Sequence, residues 1–182
     1  MISLTPQEAA PSFDQPLDML HACHGKIMRQ CDTLQKLAIH LVSQGCDQQA
    51  RQAAQDILRY FDSAGQFHHQ DEEEDVFPAL RLAAGAEHAQ LHALLDRLLS
   101  EHVVMLAAWS ALRPALLQIA DGVDTPLSAI LTAEFIGSYS RHIVVEDRDL
   151  LPLAASLLDP QQTAAIGMRM AQRRGAKFPA GV

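Results

Sequence analysis

A seven-residue apolar repeat, restarted four times along the chain, limits this sequence to helices packed side by side. From Leu17, one row carries Leu17, His24, Cys31 and Ala38, and a second carries Leu20, Ile27, Leu34 and Leu41. Such rows give a helix one apolar face. Pro16 suits the first turn and Gly45 the end. A second stripe begins after Asp47 and runs through Ala50, Ala54, Ile57, Phe61, Ala64, His68, Glu72, Val76 and Leu80 to Gly85. In the third, Leu91, Leu98, Met105 and Leu112 alternate with Leu95, His102, Trp109 and Leu116, and Pro114 is expected to bend the last turns. After a turn at 121–124, Thr125 and Pro126 are expected to cap and start a fourth helix carrying Leu131, Phe135, Ser138, His142, Val145 and Glu146 and fading near Leu158. Asp159 and Pro160 restart a short fifth helix ending at Gly175, before a tail expected to be loose. Short turns make sequential helices antiparallel. The expectation is an all-α, up-down-up-down four-helix bundle over residues 17–158. It has an N-terminal tail at 1–16, and a short helix and tail at 159–182.

Composition narrows the function. With 48% hydrophobic and 20% charged residues in 182, the chain can bury a core without disulfides. A formal charge of -8 repels phosphate backbones and anionic lipid surfaces, so neither nucleic acid nor membrane is an expected partner. Residues 1–16 lack the basic start and apolar stretch of a signal peptide, and no uninterrupted apolar run reaches membrane-spanning length. Cys23, Cys31 and Cys46 form no CxxC pair and are odd in number, which points to thiols in a reducing compartment, the cytoplasm.

The chemistry lies in a second repeat. His68, Glu72 and Pro78 recur 74 residues later as His142, Glu146 and Pro152, and His24 recurs 78 residues later as His102. The chain reads as two related helical hairpins, each bringing one lone histidine and one His-x-x-x-Glu pair. Residues at equal height in antiparallel helices lie equally far from the joining turn. Taking 70 and 144 as the centres of the two pairs, the midpoints fall at 47, 86 and 123, beside Gly45, Gly85 and Gly122. Four imidazoles and two carboxylates should therefore meet at one level inside the bundle. Buried carboxylates there need positive charge, which metal ions supply. His at i and Glu at i+4 share a helix face. Two such pairs and two single histidines suit two ions, each with about two imidazoles and bridged by both carboxylates. Nitrogen and oxygen donors without thiolate favour iron, with manganese or zinc as substitutes. No Glu-x-x-His, HExxH, GxSxG or P-loop is present to support other metal, hydrolase or nucleotide chemistry.

The segments FHHQDEEEDVFPAL at 67–80 and SRHIVVEDRDLLPLA at 140–154 resemble the two His-x-x-x-Glu helices of the hemerythrin family, in its HHE cation-binding branch. CHGKI at 23–27 and SEHV at 100–103 resemble its first-helix and third-helix histidine segments. The resemblance covers roughly residues 17–158. It implies a hemerythrin-like bundle with a non-haem centre of two iron ions, His24, His68, His102 and His142 being terminal ligands and Glu72 and Glu146 bridges. Oxygen carriers bring two histidines four residues apart from the third helix, whereas position 106 here is Leu. His88 and His92 have that spacing but fail the midpoint test, since 92 and 144 average to 118, inside a helix. The four-His, two-Glu set more closely resembles the branch linked to iron handling, nitric oxide and repair of damaged iron-sulfur centres. The implied function is a protein that binds or senses dioxygen or nitric oxide. The alternative is an enzyme or iron donor that reduces nitric oxide or peroxide or repairs iron-sulfur centres.

Other residues carry rival readings. His69 and Glu73 repeat the four-residue spacing and compete with His68 and Glu72; His68 is favoured because it continues the row of Ala54 and Phe61. His21 either supports the site or faces solvent, and His40, His88 and His92 are read as rim or surface residues. Of the acidic run Asp71 to Asp75, only Glu72 is expected to point inward. Glu101, Glu134 and Tyr139 are near enough to support a ligand or line a gas pocket. Cys23, Cys31, Met105 and Trp109 read as core. Arg169, Arg173, Arg174 and Lys177 form a basic C-terminal face suited to docking or solubility. A homodimer is compatible with the pattern, which locates no seam for it.

Overall fold

The computed structural model describes residues 11–178, and among these it is helical with no strand. The first rod is α1 (Pro16–Gln44). The second is broken into α2 (Gln48–Phe61), α3 (Ala64–Gln70), a π-helical turn (Asp71–Val76) and α4 (Phe77–Ala84). The third is α5 (Ala89–Ala120). The fourth is α6 (Ala129–Val145), a second π-helical turn (Glu146–Leu150) and α7 (Leu151–Leu157). Each rod packs against its sequence neighbours, and α1 against α6 closes the ring. The short connections fall at Gly45–Asp47, 85–88 and 121–128, where the midpoints of the ligand heights place them. Gly45 and Gly85 adopt φ of 69° and 71°, a left-handed conformation that lets the chain leave a helix without a Cβ penalty.

Local chemistry explains most boundaries and corrects others. Pro16 occupies the first turn of α1, and the Asp47 side chain accepts the Ala50 N–H at the start of α2. Thr125 and Pro126 do not start the fourth rod; Ser128 caps it by accepting the Leu131 N–H, and the preceding residues form the connection. The second rod is not one continuous helix. Asp62 and Ser63 interrupt it, and Asp62 instead accepts the Trp109 indole N–H at 3.0 Å and the Arg113 Nε–H at 2.9 Å. Pro114 lies inside α5 without ending it. By length and mean hydropathy, 1.5 over its most apolar window, α5 meets the requirements of a membrane span despite lacking an uninterrupted apolar run. Here its inner row, Leu91 to Ile119, packs in the bundle.

The core is two apolar blocks separated by a polar layer. One contains Ile27, Phe61, Met105, Trp109 and Tyr139; the other contains Leu20, Val76, Leu98 and Val145. On every rod the site residue lies between them, as His24 does between Leu20 and Ile27 and His102 between Leu98 and Met105.

The fifth helix, α8 (Pro160–Arg173), starts with a reciprocal capping box between Asp159 and Gln162. It lies against α1 and the first π turn. This placement corrects two expectations. Asp71 and Asp75 are 0% and 2% exposed, so besides Glu72 they too point inward and only Glu73 and Glu74 of the acidic run face solvent. The basic residues of α8 are committed to that run: Arg174 donates to Asp71 and Arg169 to Asp75, while Arg173 spans Asp71, Glu74 and Asp75. Arg173 and Arg174 are half-buried, while Arg169 and Lys177 stay exposed, Lys177 without a carboxylate partner among these pairs. A carboxylate cannot be buried without a partner, and guanidinium forks supply it. Of the expected tail, Phe178 is half-buried and residues 179–182 lie outside the described residues.

Candidate metal centre

Two His-x-x-x-Glu segments put an imidazole and a carboxylate one turn apart on the inner face of rods two and four. In both, the π turn begins at or just before the carboxylate. The Phe77 N–H reaches the Glu72 carbonyl and the Leu151 N–H the Glu146 carbonyl, each spanning five residues instead of four. The next residue is Pro78 or Pro152, which has no N–H to give and whose ring would strike the carbonyl four residues back in an α-helix. The widened turn removes that clash, and such turns recur at functional sites. The proline in the sequence repeat is thus a backbone device beside the carboxylate.

All six predicted residues, His24, His68, Glu72, His102, His142 and Glu146, converge, and none is more than 3% exposed. Glu72 Oε1 lies 3.4 Å from His68 Nε2, and its Oε2 lies 3.4 Å from His102 Nε2. Glu146 Oε2 lies 3.1 Å from His24 Nε2, and its Oε1 lies 2.9 Å from His142 Nε2. Each carboxylate therefore turns one oxygen to each histidine pair. Two overlapping donor sets result: His24, His68, Glu72 and Glu146, and Glu72, His102, His142 and Glu146.

The electrostatics follow from this crowding. Burial, and then the nearby Glu146 charge, push the Glu72 carboxyl well above the usual range. Glu146 goes the other way: burial opposes its charge, but the His142 and His24 imidazoles outweigh it. His68 is pushed down to about 3, by burial first. For His24 and His142 burial again opposes charge, yet Glu146 with Asp147, and Glu146 with Glu101, raise both. Two facing carboxylates in a dry layer cannot both hold full charge unless cations lie between them.

The outward ring nitrogens show how three imidazoles are aimed. His24 Nδ1 meets Asp147 at 2.6 Å, His102 Nδ1 meets Glu73 at 2.6 Å, and His142 Nδ1 meets Glu101 at 2.8 Å. A carboxylate on the outer nitrogen fixes the tautomer and leaves the inner nitrogen free to ligate. Glu101 was legible as a supporting residue. Glu73, read only as part of a rival pair, and Asp147 were missed, although they follow Glu72 and Glu146 directly and share their 74-residue offset. His68 Nδ1 is buried with no partner. The internal repeat explains the gap, because the position on α1 corresponding to Glu101 is Cys23, 78 residues earlier.

The remaining candidates separate cleanly. His69 stacks on His102 with ring centres 4.0 Å apart and stays outside the two fully buried donor sets, although with Glu73 and His102 it forms a separate, partly exposed group of possible metal ligands. Exposed His21 shares Asp147 at 2.9 Å. His40 meets Asp47 at 2.9 Å, His92 meets the Gly85 carbonyl at 2.9 Å and His88 is exposed, all outside the centre. Glu134 is exposed, whereas Tyr139 is buried in the adjoining core block.

Donor chemistry fits divalent cations. His24 Nε2 and all four oxygens of Glu72 and Glu146 are buried without hydrogen-bond partners, and the Nε2 atoms of His102 and His142 face each other at 2.9 Å. Unpartnered acceptors held together in a sealed layer are ligands in search of an ion, since leaving them unpaired is costly. Residues 15–154 match the Hemerythrin HHE cation binding domain. The chain belongs to the hemerythrin family. It is also 32% identical over 174 residues, 96% of this chain and 98% of the relative, to an uncharacterized protein of Haemophilus influenzae. Within this hemerythrin-family chain, the polar layer is the metal-ligand-like centre of the domain.

Proposed function

We propose that the protein is a cytoplasmic, non-haem di-iron protein that binds dioxygen or nitric oxide at the buried layer, with His24, His68, His102 and His142 as terminal ligands and Glu72 and Glu146 as bridges. One observation carries this reading: both carboxylates turn one oxygen to each of two imidazole pairs. Bound iron would supply redox chemistry and open positions for a small exogenous ligand. The protein holds the donors at fixed height, orients three imidazoles through Asp147, Glu73 and Glu101, and excludes bulk water with the apolar blocks on either side. Imidazole and carboxylate donors without thiolate support iron over a structural zinc site. Free Cys23, Cys31 and Cys46 support a reducing compartment.

Anaerobic reconstitution with ferrous iron, followed by iron analysis and visible spectroscopy before and after exposure to air or nitric oxide, tests the proposal. Two irons per chain and a ligand-dependent spectrum are expected. Less than about one iron per chain would refute a centre built from two donor sets.

A further inference from the structure

Helix α8 lies outside the ring of four rods and beyond the matched domain, which ends at residue 154. Its buried residues are few: Ile166, Gly167, Met170 and Ala171. Yet it packs against α1 and the first π turn, the elements that carry His24 and Glu72. Just past its end, the Arg174 guanidinium stands 5.5 Å from the centre of the Phe67 ring, one residue before His68. The other edges of the polar layer differ. Asp147, Glu73 and Glu101, the carboxylates outside His24, His102 and His142, are 33%, 40% and 31% exposed. Outside His68 no such partner stands among the described residues, and α8 lies over that edge instead. The charges there are opposed. Residues 71–75 are five consecutive carboxylates, the second being the proposed bridge Glu72. Arg169, Arg173 and Arg174 set three guanidiniums against Asp71, Glu74 and Asp75. With α8 docked, a divalent cation approaching by this edge meets those guanidiniums; with α8 lifted, it meets an uncompensated acidic run that draws it in. A terminal helix with few buried residues is the kind of unit that opens on its own, well short of global unfolding.

We infer that α8 is a strap governing exchange of the ion held by His24 and His68: docked, it closes the edge between α1 and the second rod, and lifted, it opens the acidic run as a path for a divalent cation. The cargo rests on the metal-centre reading, but the opening of α8 is measurable without metal. The strap acts on one donor set, because His102 and His142 come from α5 and α6, whereas α8 packs mainly on α1 and the first π turn. Arg173 is the clasp, since it alone of the three spans Asp71, Glu74 and Asp75. Arg174 and Arg169 flank it, each serving one buried carboxylate. Arg169 is 48% and Glu74 59% exposed, so salt screens part of the hold.

Zinc release from the loaded whole chain into an excess of chromophoric chelator, read beside amide hydrogen exchange of α8, tests the strap. In the double variant Arg169→Gln, Arg174→Gln each buried carboxylate keeps Arg173, so the fold should survive while the strap loosens. Exchange in α8 is expected to rise roughly tenfold, and one of the two zinc ions to leave faster by the same factor, because release follows the open population. The other ion should leave at its natural rate, and histidine ring resonances should identify the emptied set as His24 and His68. Added salt should speed release of that ion in the natural protein, and less so in the variant. Arg169→Gln alone serves if the double variant does not fold. Faster α8 exchange with unchanged zinc release, or equal acceleration of both ions as partial unfolding of the bundle would give, overturns the inference and leaves the metal centre standing. Failure of the natural protein to hold zinc overturns the metal-centre reading and removes the cargo with it, whatever α8 exchange shows.

Discussion

The two donor sets are unequal, and the inequality predicts stepwise metal loading. In the set of His102 and His142, both outer nitrogens meet carboxylates, Glu73 at 2.6 Å and Glu101 at 2.8 Å. In the set of His24 and His68, only His24 has such a partner, Asp147, while His68 Nδ1 is orphaned. An outer carboxylate typically contributes about 10–100-fold in metal affinity, or roughly 1.4–2.7 kcal/mol. The His102 and His142 set should fill first by about that factor. Repulsion between two bound cations also separates the steps, but it acts whichever set fills first, so the decisive measurement is a comparison of variants. Glu101→Gln keeps the side-chain shape and removes the charge. It also weakens the largely exposed ion pair with Arg97, a contact of about 1 kcal/mol at most, so the fold should survive. Titration of metal-free protein with zinc against a chromophoric chelator should show two steps in the natural protein. In the variant the first step should weaken by about 10–100-fold with little change in the second. Equal first steps in the two proteins would refute the assignment of affinity to the outer carboxylates.

Four further outcomes follow from the packing. Arg173→Ala removes a cation that serves buried Asp71 and Asp75 and should cost about 3 kcal/mol in chemical denaturation, a loss below 1 kcal/mol contradicting the latch between α8 and the π turn. A Cβ added at Gly167 would come within 1.8 Å of the Phe13 carbonyl oxygen, so Gly167→Ala should destabilise by about 1–3 kcal/mol, and unchanged stability would show that this close approach is not held in solution. Hydrogen bonding by Arg113, and next by Trp109, holds the Asp62 carboxyl below its usual range. Its contribution is present above the unfolded carboxyl value of about 3.9 and lost as pH falls through the lower folded value, so the deficit of Asp62→Asn, about 1 kcal/mol at most, should shrink in denaturation at pH ~3 relative to pH ~7. Burial pushes the Cys31 thiol up to about 12, so iodoacetamide should leave Cys31 unlabelled in the folded protein at pH ~8 and label it on unfolding; rapid native labelling would contradict its burial.

The bundle was legible because its rows of Leu, Ile and Ala alternate at helical spacing, and because glycines with left-handed backbone mark the ends of the first two rods. The height of the site was legible because antiparallel geometry converts sequence distance into position. The π turns were not, since apolar periodicity barely changes when one turn widens, and a proline such as Pro78 or Pro152 fits a helix start or a kink as readily as a widened turn. The acidic run misled for a different reason. Asp71 and Asp75 look solvated until Arg169, Arg173 and Arg174 of α8 arrive from about a hundred residues away, and no local pattern announces so distant a pairing.

The internal repeat is most informative where it fails. Its two halves agree at His24 and His102, His68 and His142, Glu72 and Glu146, and Glu73 and Asp147, so each half's added carboxylate orients the other half's lone histidine: Asp147 serves His24 and Glu73 serves His102. Such reciprocity ties the hairpins into one unit, because neither completes its own imidazole. The halves diverge at Cys23 and Glu101, at His69 and Ile143, and at Gly65 and Tyr139. The first difference leaves His68 without an outer partner. The other two bring His69 and Tyr139 against the same donor set. A symmetric layer suffices to hold two ions alike. The departures leave instead one imidazole pair with a carboxylate on both outer nitrogens and one pair with a carboxylate on only one, an arrangement suited to holding one ion more firmly than the other.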